Sequence, residues 1–262
     1  SKTAKGRAIQ NLINIEQDDK VKAFINTQDL KDEEYINSHY VIMATKKGQV
    51  KKTLLEQYSR PRANGINAIT IKDEDELLEA KLTTGNSQIL LAVKSGKAIR
   101  FEEDKTRPMG RSASGVRGIT LNGPFDEVIG MVSVSDSETE ILVVSENGYG
   151  KRSSLDDYRT TNRGGKGVKT LSITDKTGEL VSIKNVSDLD DLMIINKSGI
   201  AIRMDVADLR VMGRATQGVK LINLKGSDTI AAVAKVMKDD EEIPEVSEDD
   251  VPTSETDGTN HE

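Results

Sequence analysis

Short apolar runs alternate with polar turns along this chain, and the alternation returns at a fixed interval. Four segments align: "VIMATKKGQVKKT" (41–53), "ILLAVKSGKAIRF" (89–101), "ILVVSENGYGKRS" (141–153) and "LMIINKSGIAIRM" (192–204). Each reads as an apolar strand, a polar turn ending in glycine, and an alternating strand with Lys or Arg near its end. The turn glycines are Gly48, Gly96, Gly148 and Gly199, spaced by 48, 52 and 51 residues. Glycine takes positive φ without penalty, so these segments predict β-hairpins.

A second element follows each hairpin: "RPRANGINAITI" (60–71), "RPMGRSASGVRGITL" (107–121), "RTTNRGGKGVKTLSI" (159–173) and "RVMGRATQGVKLINL" (210–224). Its pattern is a basic, glycine-containing loop and then a strand of Ile, Val and Leu. The chain opens inside such an element, "SKTAKGRAIQNLINI" (1–15), and so reads as a fragment of a longer polypeptide. A third apolar segment precedes each next hairpin: "VKAFI", "ELLEAKL", "EVIGMVSV" and "ELVSIKNV", with "DTIAAVAKV" closing the last repeat. Residues 27–40, "TQDLKDEEYINSHY", read as an acidic loop that lengthens one connection.

The expected fold is all-β, with about four strands per repeat of roughly 50 residues, the size of a propeller blade. Such units cannot bury both faces alone and stack radially or in an arc, a solenoid being the alternative. The expected organisation is one domain over 1–237, with repeat units at about 1–40 (partial), 41–88, 89–140, 141–191 and 192–237. Residues 238–262 form an acidic, disordered tail.

Composition narrows the chemistry. The chain has no cysteine, which excludes disulfides and thiolate metal sites. No apolar run reaches the length of a membrane span, and no secretory signal opens the chain, so a cytoplasmic protein is expected. Of two histidines, His261 lies in the tail and His39 beside the acidic loop. No catalytic triad, zinc motif, calcium loop or P-loop is present; "GGKGVKT" fails the P-loop spacing. No cofactor, no metal and no catalytic residue are expected.

The net charge of −6 conceals an asymmetry. Residues 239–262 hold eleven Asp and Glu and no Lys or Arg, whereas residues 1–238 hold 37 basic and 32 acidic residues, a net of +5. A mildly basic body with an acidic tail points to a polyanionic partner, with the tail as internal competitor.

The basic residues recur with the repeat. On the second hairpin strand stand Lys51 and Lys52, Arg100, Lys151 and Arg152, and Arg203. In the loops stand Lys2 and Arg7, Arg60 and Arg62, Arg107 and Arg111, Arg159, Arg163 and Lys166, and Arg210 and Arg214. Lys2, Arg111, Arg163 and Arg214 each sit four residues before the loop glycine; Arg62 sits three before its own. Units related by rotation would align these cations on one rim, a ridge suited to a bent phosphate backbone. Adjacent strand residues face opposite ways, so only one of Lys51 and Lys52, and one of Lys151 and Arg152, can face such a ligand. Loop cations escape that limit and are the stronger candidates. The competing reading is that the loop arginines cap carbonyls between blades.

These residues resemble the C-terminal domain of DNA gyrase A: "NGYGKR", "SASGVRGITL", "GRATQGVKLI" and "MATKKGQVKKT" are similar to its blades, from Ser1 to about Val236. The corresponding C-terminal domain of topoisomerase IV is the near alternative; a protein-interaction propeller is the reading outside the resemblance. The resemblance implies a β-pinwheel, with strands exchanged between neighbouring propeller-like blades, and a basic rim that wraps double-stranded DNA without sequence preference. It implies the remainder of gyrase A and the ATPase protein gyrase B as partners, a bacterial, nucleoid-associated setting, and support of ATP-dependent negative supercoiling by the full enzyme. The catalytic tyrosine would lie outside this chain, since Tyr35, Tyr40, Tyr58, Tyr149 and Tyr158 do not match its motif. "TNRGGKG" (161–167) resembles the gyrase box, Q-R-R-G-G-[KR]-G, at Arg163, Gly164, Gly165, Lys166 and Gly167, and departs at Thr161 and Asn162. It stands in a later blade than the one that normally carries the box.

Overall fold

The computed structural model describes residues 13, 15, 19–62, 64–135 and 139–237, and every structural statement below concerns those residues. Lys2, Arg7 and the acidic tail lie outside them.

All four predicted hairpins form, each turning at its expected glycine. In chain order the strands are β1 (Tyr40–Thr45), β2 (Gln49–Leu54), β3 (Leu77–Thr83), β4 (Gln88–Val93), β5 (Lys97–Glu102), β6 (Val116–Arg117), β7 (Val128–Val134), β8 (Glu140–Ser145), β9 (Tyr149–Ser154), β10 (Val168–Lys169), β11 (Leu180–Val186), β12 (Asp190–Asn196), β13 (Ala201–Asp205), β14 (Val219–Lys220) and β15 (Ile230–Met237). They build four antiparallel sheets, ordered β3-β1-β2-β6, β7-β4-β5-β10, β11-β8-β9-β14 and β15-β12-β13.

The fourth strand of each complete sheet comes from the following repeat. Val116 pairs with Val50, Val168 with Ala98, and Val219 with Gly150. Strand exchange is therefore present, but the exchanged segments are shorter than their apolar patterns predict. Only two residues of each are strand; the rest, such as Ile119 and Leu171, turns inward to pack between sheets. Residues 66–71, the equivalent segment of the first described repeat, form no strand.

The loop glycine explains the crossing. Gly115, Gly167 and Gly218 all have positive φ, and a Cβ on any of them would stand 2.5 Å from a carbonyl oxygen of the preceding hairpin (Val50, Ala98 and Gly150). Gly65 has the same φ sign but no atom within 4 Å of that position.

Strands β3, β7, β11 and β15 contact one another in sequence, which places them on the inside of the array and β6, β10 and β14 on its outer rim. The core lies between the sheets. Ile42, Ala44 and Val50 meet Ile89, Leu91, Ile99 and Phe101. Leu90, Ala92 and Val132 meet Ile141, Val143 and Ile183, and Leu142, Val144 and Val186 meet Leu192 and Ile194. Sandwiched sheets are buried on both faces, so β1, β4 and β8 read as continuous apolar runs rather than alternating ones. In β12 burial alternates, because one face of the last sheet is uncovered.

The expected acidic loop is a correction. It contains the helix α1 (Glu33–Ser38), capped by Asp32, whose carboxylate accepts from the Glu34 and Tyr35 amides. Tyr35 and Ile36 cover the free face of the first sheet at Val41 and Met43. His39 lies tilted against the Tyr35 ring and bonds the Tyr35 carbonyl, a structural role. "VKAFI" forms no strand.

Candidate nucleic-acid interface

The strand cations were expected to face a ligand on one side of each pair; here the structure corrects the expectation. Lys52 is 4% exposed, and its ammonium lies 3.1 Å from the Glu103 carboxylate and over the Tyr40 ring. Glu103 also accepts from Thr83 Oγ1 at 2.7 Å and the Ser87 amide at 3.1 Å. Arg152 is 8% exposed; it pairs with Glu140 at 2.9 Å and with Asp188, and donates to the Leu209 carbonyl. Arg100, half-buried, donates to Gln88 and to the carbonyls of Leu155 and Tyr158 at 2.8 and 2.9 Å. Each is a spoke to the turn that follows the next hairpin, so none presents its charge to a ligand. Their neighbours Lys51 and Lys151 are buried as well. Arg203, on the uncovered sheet, is exposed and pairs with Asp191 at 2.6 Å.

The loop arginines form a repeating clip. Nη1 of Arg111, Arg163 and Arg214 donates to the carbonyls of Asn67, Arg117 and Lys169, which are equivalent positions of the preceding repeat. Nε of Arg163 and of Arg214 adds a bond to the carbonyl of Lys105 and of Asp157. The clip takes one guanidinium donor of Arg111 and two of Arg163 and of Arg214, out of five each, and each side chain stays partly exposed at the rim. The carbonyl-capping reading thus describes part of what these arginines do.

Beside the clips, a set of cations stands exposed. Arg60, Arg107, Arg159 and Arg210 open the four loops, and Arg62 and Lys166 lie within them. Sequence reading passed over a further set: Arg117, Lys169 and Lys220, exposed at the second position of each exchanged strand. The repeated "GV[RK]" carried that signal, but only the strand exchange reveals that it lies on the outermost edge. Arg62, Arg111, Gln57, Asn67 and Ser112 line a polar cleft of about 530 Å3 between the first two loops.

The box-like stretch is held from below and behind. Gly164 and Gly165 turn their carbonyls onto Thr120, at 2.7 Å to its hydroxyl and 2.9 Å to its amide. Gly165 sits over Ile99, whose Cδ1 would be 3.4 Å from an added Cβ. Gly167 makes the crossing described above, and Lys166 projects outward. Among the described residues no cluster of His, Cys, Asp and Glu could hold a metal ion, and no helix is long and apolar enough to cross a membrane.

Fold and surface together define a strand-exchanged, propeller-like array with a basic outer rim. The DNA gyrase C-terminal domain (beta-propeller) family model matches residues 39–84, 88–135, 139–187 and 190–237, and the chain belongs to that family. DNA gyrase A of Staphylococcus aureus (strain NCTC 8325 / PS 47) is 43% identical over 260 residues, which is 99% of this chain and 29% of that protein. DNA gyrase A from strain MRSA252 is 44% identical over 260 residues, 99% of this chain and 28% of its own length. The chain therefore spans less than a third of these relatives. Among solved structures, the C-terminal domain of DNA topoisomerase IV superposes with a TM-score of 0.81 at 24% identity, covering 88% of this chain and 71% of that one. The DNA gyrase A C-terminal domain superposes with a TM-score of 0.77 at 24% identity, covering 90% and 77%. At that identity the structural likeness carries the fold alone.

Proposed function

We propose that this domain binds, bends and wraps double-stranded DNA around its outer rim, as the C-terminal part of a DNA gyrase A protein. Its partners are then DNA, the remainder of gyrase A and the ATPase protein gyrase B, in the bacterial cytoplasm at the nucleoid. The chain contributes no catalytic tyrosine and supports ATP-dependent negative supercoiling only as part of the full enzyme. The observation that carries this reading is the recurrence of exposed cations at equivalent rim positions, Arg117, Lys169 and Lys220, with Arg107, Arg159 and Arg210 beside them. A curved row of Arg and Lys engages phosphates without reading bases, and bending lets more of them engage at once. Arg60, Arg62, Arg163 and Lys166 extend the row, and Lys2 and Arg7 are proposed to join it.

The test is ligation of a singly nicked plasmid around increasing amounts of the protein, followed by measurement of linking number. A positive shift is expected from chiral wrapping. Contact with about eight phosphates also predicts a slope near −7 for log affinity against log salt. Salt-insensitive binding with no change in linking number would reject the reading in favour of a protein-interaction propeller.

A further inference from the structure

Two buried lysines are left over by the spokes and clips. Lys51 and Lys151 occupy equivalent positions on β2 and β9, and both are 0% exposed. Lys151 Nζ donates to the Gly213 carbonyl at 2.6 Å, to the Thr216 hydroxyl at 3.0 Å, and to the Arg214 carbonyl. Lys51 Nζ donates to the Arg111 carbonyl and to that of Ala68. Arg111 and Arg214 are themselves equivalent, so one ammonium lies under each of two rim loops and holds the same carbonyl. Both amines are thus held by carbonyl and hydroxyl oxygens of the loops above them.

The consequence follows from peptide geometry. In a trans peptide the C=O of one residue and the N–H of the next point opposite ways, and no described peptide here is cis. Drawing the Arg111 carbonyl inward aims the Ser112 amide outward; drawing the Arg214 carbonyl inward does the same for Ala215. Ser112 and Ala215 are both exposed at the rim. An outward amide backed by a buried cation favours an anion at that point of the rim. In the box-like loop Thr120 holds the carbonyls instead, and the residue beneath is Ile99.

We propose that Lys51 and Lys151 are positioning residues for phosphate contact, each turning a rim loop amide-side outward and adding a buried positive charge beneath it. The proposal rests on the DNA-binding reading above. Burial lowers both amines to about 8, aided at Lys51 by the Arg111 charge; at Lys151, Asp157 opposes the shift and Arg214 adds to it. Tyr58 donates to the same Ala68 carbonyl as Lys51 and its pKa is raised by burial; Tyr158, its equivalent in the later repeat, is pushed by burial up to about 12. Neither tyrosine titrates where the lysines do.

The test uses the whole chain and a linear duplex of mixed sequence, with affinity measured against salt for wild type, Lys51→Met/Lys151→Met, Lys51→Arg/Lys151→Arg and the control Ile99→Met. The methionine pair is expected to lose about tenfold in affinity at low salt and to flatten the salt slope by about two, one per loop. The arginine pair should recover most of both, and Ile99→Met should change neither. Wild-type affinity should also fall between pH 7 and 9, a fall absent from the methionine pair. If the methionine pair does not fold, that pH profile of the wild type decides, and a flat profile overturns the proposal. A folded methionine pair with the wild-type slope overturns it while leaving DNA binding intact. A wild type that does not bind DNA overturns the functional reading itself.

Discussion

Lys52 shows how little residue type alone says about a cation's role. In sequence it is one of a row of strand cations; in the structure its charge is consumed by Glu103, Gly85 and the face of Tyr40. Removing one partner of a buried ion pair strands the other in a poor solvent. Lys52→Met is therefore expected to lower stability by about 3 kcal/mol in urea unfolding, while the salt slope of DNA binding stays at its wild-type value. Lys51 and Lys151 carry a different signature. Their folded pKa of about 8 lies below the ordinary lysine value of 10.5. Between those limits the unfolded chain holds protons that the folded chain has released, so stability rises with pH across that window. The rise, read as the urea midpoint relative to Lys51→Met/Lys151→Met, should be absent below pH 7.

At the scale of elements, the hairpins and the inner strands were legible because their apolar runs and turn glycines are local facts. The exchanged strands were only half legible. Their apolar residues divide between a two-residue pairing at the rim and a descent between sheets, a division set by the neighbouring hairpin. The helix α1 was hidden for a related reason: Tyr35 and Ile36 are the only buried residues in an acidic stretch, and what they cover is the first sheet's free face. The loop glycine gives a direct test of the crossing. Gly167→Ala adds a contact 2.5 Å from the Ala98 carbonyl to the strain of φ +70°, and should cost about 3 kcal/mol. Gly65→Ala, at φ +74° with open space around it, should cost about 1 kcal/mol. Equal losses in thermal unfolding would mean that strain alone, not the crossing, fixes this glycine.

For the whole molecule, the decisive quantity is the sign and placement of charge. Residues 1–238 carry a net of +5 and residues 239–262 eleven carboxylates, so the two parts attract at low ionic strength. If the rim binds DNA, the tail competes for it. Deleting 239–262 is expected to tighten DNA binding several-fold at low salt and to leave it nearly unchanged at high salt, by electrophoretic or anisotropy titration. Equal affinity of the two forms at low salt would leave the tail a solubilising segment only.

The sequence by itself determined the repeat, the hairpins, the all-β class, the basic body and the likeness to a gyrase C-terminal domain, because each is written in spacing, apolar pattern or composition. Only the tertiary structure decided which cations are free. Lys52, Arg100 and Arg152 turn inward as spokes, Arg111, Arg163 and Arg214 clip one repeat to the one before, and Arg117, Lys169 and Lys220 reach the outer edge. A cation's exposure depends on the sheet beside it, and strand exchange makes that sheet belong partly to another repeat.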